Sequence, residues 1–334
     1  MDYILLLAIL MSFVLTLTIL PLWIRKARQV DMLWEDMNKY DHPKNVASSG
    51  GLVVVMSFIL SVLLYIGLKT FIYTGTLRIV EIFALLTMIL ILSLVGLTDD
   101  LLGWKSGGLS TRMRIGLAIM ASVPLVVINA GSHVVDLPFL GVINLGIIYP
   151  ILVIPLAIGF VSTTYNFLAG FNGLEAGLGV LIIGYLSFVA YVTGSPWLAV
   201  IGLSMVASLL AFLIFNWYPA KVFPGDILTY SVGALLVGMA VLGNFEKIAI
   251  IVFIPFLIEV VLKLRGGLEK HSFGKPQKNG GLKLKYKKVY GLSHFSIWFL
   301  SKLKKKVTER DVVYMIYAIE IIFILIASLT LFNL

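Results

Sequence analysis

The stretch YILLLAILMSFVLTLTILPLW (Tyr3–Trp23) runs for a full membrane thickness without a charged side chain. About 20 such residues cross the hydrocarbon core as a helix, the one local structure that satisfies its own backbone there. Met1 and Asp2 precede the run, Arg25, Lys26 and Arg28 follow it, and no small-residue cleavage site ends it. It therefore reads as a retained span and not as a signal peptide. Similar runs recur at 49–68, 80–97, 115–131, 143–161, 176–193, 197–215, 227–243, 248–264 and 312–333. The expected fold is an all-α polytopic membrane protein of about ten transmembrane helices.

Composition agrees. Of 334 residues, 60% are hydrophobic and 13% charged, with mean hydropathy +1.01, whereas a soluble domain is about a quarter charged. No linker separates independent halves, so residues 1–334 read as one membrane-embedded domain. Cysteine is absent, which excludes disulfides and thiolate chemistry. A net charge of +9 suggests nucleic acid only until the cations are placed. If the loop after the first span is cytoplasmic, 23 of the 26 lysines and arginines fall inside, leaving Lys69, Arg78 and Lys247 outside. That bias sets the orientation and puts both termini outside. No nucleic-acid partner is expected.

The longest inside loop, about 265–311, is basic. Leu282, Leu284 and Tyr286 alternate with Lys283, Lys285 and Lys287, which predicts a short exposed strand. Phe295 to Leu303, beside Lys302 and Lys304–Lys306, predicts an amphipathic helix on an anionic membrane surface, against the alternative of a solvated lysine-rich loop. Glu259 sits one turn from Lys263, which favours an intrahelical ion pair over a functional acid.

The polar residues of interest collect in the inside loops. After the third span come Asp99 and Asp100, a carboxylate pair that is costly at an apolar boundary unless a cation or shared proton offsets it; either could instead cap a turn. After the fifth comes NFLAGFNGLEAG (Asn166–Gly177), whose glycines permit close backbone approach to a ligand. Helix packing explains those glycines equally well but leaves Asn166 and Asn172 unexplained. After the seventh comes NWYPAKVFPGD (Asn216–Asp226). Asp99, Asp100 and Asp226 with an asparagine oxygen make a hard-oxygen set suited to Mg²⁺ and substrate phosphates. Arg112, Arg114 and Lys221 are near enough in the pattern to hold phosphate oxygens.

These stretches resemble the signatures of the UDP-N-acetylglucosamine–dolichyl-phosphate N-acetylglucosaminephosphotransferases. Asn166–Gly177 is similar to their NxLAGxNGLEAG motif, Asn216–Asp226 to NWxPxxVFxGD, and Asp99-Asp100 to their paired aspartates. The wider superfamily includes the bacterial phospho-MurNAc-pentapeptide transferase, and its ten-span architecture covers nearly the whole chain. The resemblance implies Mg²⁺-dependent transfer of GlcNAc-1-phosphate from UDP-GlcNAc to a polyprenyl or dolichyl phosphate, with release of UMP, the first step of lipid-linked oligosaccharide synthesis for N-glycosylation. It implies a cytoplasmic active site in the cell membrane, or in the endoplasmic reticulum membrane of a eukaryote, with Mn²⁺ as an alternative ion and room for a homodimer. Asn166 and Asp226 would ligate the metal, Phe223 would stack on the uracil, and Asn172 and the Gly170 backbone would read its edge. Asp99 and Asp100 would lie beside the acceptor phosphate as the catalytic pair, and Arg112 or Arg114 would take the place of a phosphate-binding lysine.

The chain departs from that family in two places. An Arg-His-Arg cluster of the last loop is replaced by His271-Ser272-Phe273-Gly274-Lys275-Pro276-Gln277-Lys278, leaving His271 and Lys275 to contact the pyrophosphate and sugar. A Pro-Glu-Ser-Gln-Gly stretch of the first loop is replaced by Val46-Ala47-Ser48-Ser49-Gly50. The bacterial His-rich signature is also missing, which argues against the peptidoglycan substrate. Transfer of another N-acetylhexosamine-1-phosphate is an alternative, as is a secondary transporter or flippase. Transporters, however, place charge near the midplane and often repeat their halves, and neither feature is present.

Overall fold

Hydroxyl groups inside the apolar runs turn back onto their own helices. Thr18 Oγ1 donates to the Val14 carbonyl at 2.8 Å, Thr87 to Phe83 at 2.7 Å and Ser231 to Ile227 at 2.7 Å, so these three hydroxyls are paired within their own helices. The computed structural model describes residues 3–72, 78–138 and 140–331, the side chains of 3–5 and 104–106 excepted. The cytoplasmic charge expected at Lys105 and the last two residues of the run 312–333 lie outside the described residues.

In chain order the elements are α1 (Tyr3–Gln29), a hairpin of β1 (Leu33–Glu35) and β2 (Lys44–Ala47), α2 (Gly51–Phe71), α3 (Ile79–Ser106), α4 (Thr111–Met120) and α5 (Val123–Val127). A second hairpin, β3 (Val134–Leu137) and β4 (Gly141–Asn144), leads through a π turn at Tyr149–Val153 into α6 (Ile154–Tyr165), which ends in a 3₁₀ turn at Asn166–Leu168. Then come α7 (Leu174–Val192), α8 (Pro196–Asn216), α9 (Gly225–Gly243), α10 (Glu246–Val252) and α11 (Ile254–Leu264). The two-residue pair β5 (Lys275–Pro276) and β6 (Leu282–Lys283), α12 (Leu292–Leu303) and α13 (Glu309–Leu331) complete the chain. All three hairpins are antiparallel.

Among the described residues, eight helical stretches are long and apolar enough to cross a membrane. The expected spans 115–131 and 248–264 are each broken into two shorter helices instead, α4–α5 and α10–α11. Pro124 and Pro255 lie in the first turn of the second member of each pair. Proline has no N–H to give the preceding turn, so a new helix starts there. A second difference concerns α3. It continues past the expected boundary to Ser106, so Asp99 and Asp100 are helical residues and not loop residues.

The helix α9 is the centre of the bundle, packed against α2, α3, α6, α7 and α8 and buried at every position from Ile227 to Val241. The first residues of α9 are approached closely at Gly96 of α3, where an added Cβ would lie 2.6 Å from Asp226 C and from Ile227 Cα. The absence of a side chain at Gly96 lets two backbones touch, and this contact places α3 beside Asp226.

At the opposite end of the bundle, Lys247 pairs with Asp136 at 2.8 Å, the Ser132 amide donates to Asn244 Oδ1 at 2.7 Å, and Tyr149 bonds Glu246. These contacts tie the β3–β4 hairpin to the start of α10. The expected strand over 282–287 is limited to Leu282–Lys283. The expected basic helix is present as α12, but it buries Leu292 to His294, Ser296 and Ile297 against the protein. Only its second half, with Trp298, Phe299 and Leu303, is exposed.

Candidate active site

Three helix ends converge at Asp226. Its backbone N–H, in the first turn of α9, donates to Asp100 Oδ1 at 2.8 Å, and Asn166 Nδ2, at the end of α6, donates to Asp226 Oδ1 at 2.8 Å. Asp99 accepts the Leu109 amide at 2.5 Å and faces Arg114 Nη1 at 3.2 Å. The same guanidinium nitrogen lies 3.8 Å from Asp226 Oδ2. Ser110 caps α4 by accepting from the Met113 amide at 3.4 Å, which starts the helix one turn before Arg114. Arg112, on the same helix, is exposed. Of the two arginines considered from the sequence, Arg114 is the one brought to the carboxylates.

The charges do not balance. Of the three carboxylates, Asp99 and Asp226 face the one guanidinium, only 6% of the Asp99 side chain is exposed, and Asp100 Oδ2 has no hydrogen-bond partner among the described residues. Excess negative charge held out of water is expensive unless a cation or a shared proton offsets it. Among the described residues no three His, Asp or Glu side chains are grouped so as to hold an ion alone. Two protein oxygens completed by ligand phosphates and water is the coordination that Mg²⁺ favours; Asp226 and the Asn166 amide lie together here, with Asn166 turned so that its Nδ2 faces Asp226.

Asp100, Asn166 and Asp226 open onto a cleft of about 800 Å³ lined also by Gly170, Phe223 and His271, with Trp34, Lys44 and Lys263 in its walls; Asp99 and Arg114 are not among the lining residues. Phe223 is fixed by backbone pairing with the first loop: its N–H donates to the Ala47 carbonyl at 2.8 Å, and its own carbonyl accepts from Gly50 at 2.9 Å. The Val46–Gly50 stretch thus acts through its backbone, a role that its side chains do not reveal. Gly170 reaches the cleft by adopting φ +106°, and its amide is held by Glu175 Oε1 at 2.8 Å. Asn172 is not on the cleft wall. It is buried behind it, its amide donating to Glu309 Oε1 at 2.8 Å and its Nδ2 to Asp36 Oδ2 at 3.2 Å. Lys275, exposed on β5, is likewise not among the lining residues, whereas its neighbours His271 to Phe273 are.

Sequence reasoning passed over Asp36, Asn38, Lys39 and Lys263. The first three belong to a short polar loop with no periodicity, which reads as solvated chain. Lys263 was visible as the partner of Glu259, and the two do pair, at 3.8 Å. The Glu259 carboxylate also accepts the Leu292 amide at 2.6 Å, anchoring the start of α12, so the pair is tertiary as well as intrahelical.

The last loop is held from above by α12. Ser293 Oγ donates to the Ser272 carbonyl at 2.6 Å. His294 Nδ1 accepts the Tyr290 amide at 3.3 Å, which leaves the ring hydrogen on Nε2, 3.3 Å from the Phe273 carbonyl. Burial pushes the His294 pKa below its usual value, with Lys263 and Lys285 adding to the effect. The unfolded chain therefore binds this proton more readily than the folded one. The contribution of neutral His294 is complete above about pH 6.5 and is lost as pH falls below that value toward the depressed one. The thermal midpoint is expected to fall between pH 7.5 and 5.5 more steeply in the wild type than in His294→Gln. Parallel slopes would remove His294 as the titrating group.

The glycosyl transferase family 4 profile matches residues 82–244, a segment that includes Asp99, Asn166 and Asp226. A protein of Saccharolobus solfataricus, provisionally named a UDP-N-acetylglucosamine–dolichyl-phosphate N-acetylglucosaminephosphotransferase, is 35% identical over 96% of this chain and 95% of its own. An enzyme of the same name from Dictyostelium discoideum is 31% identical over 73% of this chain and 67% of its own. A phospho-N-acetylmuramoyl-pentapeptide-transferase of a Geobacillus species is 29% identical over 78% of this chain and 82% of its own.

Proposed function

The chain belongs to glycosyl transferase family 4, and from that premise we propose that it moves GlcNAc-1-phosphate from UDP-GlcNAc to a polyprenyl or dolichyl phosphate, releasing UMP. The observation that carries this reading is the convergence of Asp100, Asn166 and Asp226 on one cleft beside Phe223 and Gly170. The names of the S. solfataricus and D. discoideum relatives supply the sugar and the lipid. The similarity to the muramoyl-pentapeptide transferase supports only the broader transfer of an N-acetylhexosamine-1-phosphate to a prenyl phosphate.

In this reading an oxygen of the acceptor phosphate attacks the sugar-bearing phosphorus of the donor. The bond from that phosphorus to the bridging oxygen breaks, its electron pair stays on the departing UMP, and the product is the lipid pyrophosphoryl sugar. A phosphomonoester with second pKa near ~6 is largely dianionic at neutral pH, so no proton need be abstracted. Asp99 then holds Arg114, and Asp100 holds the start of α9. Phe223 offers a face for stacking on the uracil, with Gly170 backbone at its edge. Magnesium bound at Asn166 and Asp226 would neutralise the pyrophosphate charge.

The path of the chain supports ten crossings. Asp99 near the end of α3 and Asn166 at the end of α6 meet at the same site, so the chain between them returns to the far side. The α4–α5 pair is the segment available for that return. Similarly, α9 starts at the site and α13 begins at Glu309, bonded to Asn172 on the same side; α10–α11 brings the chain back. The excess of lysine and arginine on the site's side supports a cytoplasmic site with both termini outside. We read the protein as a multi-pass protein of the cell membrane.

Purified protein supplied with polyprenyl phosphate and UDP-GlcNAc, UDP-GalNAc and UDP-MurNAc-pentapeptide in competition should label the lipid from UDP-GlcNAc and release UMP. Labelling should stop on chelation and return with Mg²⁺ or Mn²⁺. Absence of any lipid-linked sugar phosphate would exclude the transferase reading, and labelling from another donor would correct the sugar.

A further inference from the structure

The loop between β1 and β2 carries a side chain that touches two walls of the cleft at once. Asn38 is buried. Its Nδ2 donates to the Gly170 carbonyl at 2.7 Å, and its Oδ1 accepts the Gly274 amide at 3.2 Å. One planar amide thus spans the loop after α6 and the loop before β5, using its donor end for one and its acceptor end for the other. The two loops meet at this point: a Cβ on Gly170 would lie 2.5 Å from Phe273 Cε1. Ser272 Oγ adds a bond to the Phe167 carbonyl at 3.3 Å.

The turn that presents Asn38 is itself anchored. Lys39 Nζ lies 3.2 Å from Asp36 Oδ2, bonds Glu309 at the start of α13, and sits 4.0 Å above the Tyr218 ring centroid. Asp36 and Glu309 in turn hold Asn172. Asn38 therefore projects from a fixed point onto two segments that belong to different parts of the chain. Both segments face the cleft, through Gly170 on one side and His271, Ser272 and Phe273 on the other. None of these bonds reaches the side chains of Asp99, Asp100, Asn166 or Asp226, which sit on α3, the 3₁₀ turn after α6, and α9.

We propose that Asn38 is a positioning residue that sets the spacing of the Gly170 and His271–Gly274 loops, so that the nucleotide and the sugar of one donor are read in a single register. The substrate terms rest on the transferase reading above; the geometric coupling does not. Because the coupling lies apart from the carboxylates, it governs donor binding and sugar choice and not the chemical step.

The test compares Asn38→Asp, Asn38→Ala and Lys39→Met with the wild type. Asn38→Asp is nearly isosteric and keeps the acceptor for Gly274, but it sets an oxygen against the Gly170 carbonyl. It should raise KM for UDP-GlcNAc about tenfold, as expected for one lost buried hydrogen bond, with kcat within about threefold. The preference for UDP-GlcNAc over UDP-glucose in kcat/KM should fall by a similar factor. Lys39→Met, which loosens the anchor without touching either loop, should shift KM in the same direction by less. In Asn38→Ala, hydrogen exchange of backbone amides in peptides covering 167–172 and 271–275 should quicken together. That readout needs no turnover, so a wild type without transferase activity would overturn the transferase reading alone. Unchanged exchange in both peptides, or unchanged KM and sugar preference in Asn38→Asp, would overturn the positioning role. A parallel fall in kcat and thermal midpoint with KM constant would also do so, since it would make Asn38 merely structural.

Discussion

Asp226→Ala should lower turnover about a thousandfold, the scale on which one preorganised electrostatic group acts at a reacting centre, while leaving the protein folded. The fold should survive because the contact that ties α9 to α3 is made by the Asp226 backbone N–H, which any residue supplies at Asp100 Oδ1. The side chain instead faces Asn166, on the cleft wall, at 2.8 Å and Arg114 at 3.8 Å. Asp226→Asn separates charge from shape: it keeps an acceptor for Asn166 and removes the carboxylate. If Asp226 carries charge to the phosphates, both variants should be equally slow, with unchanged elution in detergent and little change in thermal midpoint. Asp226→Asn retaining more than about a tenth of wild-type turnover would remove Asp226 from the chemistry.

The parts of this site that could be read in the sequence were those that violate the membrane's rules. Asp99, Asp100 and Asp226 border apolar runs where a carboxylate is costly, and Asn166 lies in a glycine-rich gap between two such runs. Each therefore stood out, and three of the four lie within one set of hydrogen bonds. Arg114 could not be told from Arg112 by residue type. The difference is the α4 cap at Ser110, which turns one arginine to the carboxylates and the other to solvent. Asn172 was chemically conspicuous, yet it supports the cleft from behind.

The first loop was illegible for the opposite reason. Asp36, Asn38 and Lys39 sit among polar neighbours where a charged residue violates nothing, and their partners Gly170, Gly274 and Glu309 are more than a hundred residues away. Sequence spacing carries no trace of such contacts. The two broken spans were misread as continuous because hydropathy averages over a window. Pro124 and Pro255 interrupt the hydrogen bonding without interrupting the apolar run.

Gly96→Ala tests how the site is held together, and its expected effect on turnover is second only to that of Asp226→Ala. An added Cβ would lie 2.6 Å from Asp226 C, Ile227 Cα and Ile227 N. All three are backbone atoms, so no side chain can rotate out of the way. The helix α9 cannot retreat either, since it is enclosed by α2, α6, α7 and α8 as well as α3. The strain must part α3 from α9, at about 1–3 kcal/mol for overpacking of this kind. That movement carries Asp99 and Asp100 away from Asp226, and a displacement of about 1 Å at a reacting centre costs on the order of a hundredfold in rate. Gly96→Ala should therefore lose turnover and thermal stability together, unlike Asp226→Ala, which loses turnover alone. Gly67→Ala on α2 is the control, because a Cβ there meets nothing within 4 Å and should change neither. A Gly96→Ala protein with wild-type turnover and midpoint would mean that α3 and α9 have room to spare. The placement of Asp100 beside Asp226 would then owe nothing to the missing side chain at Gly96.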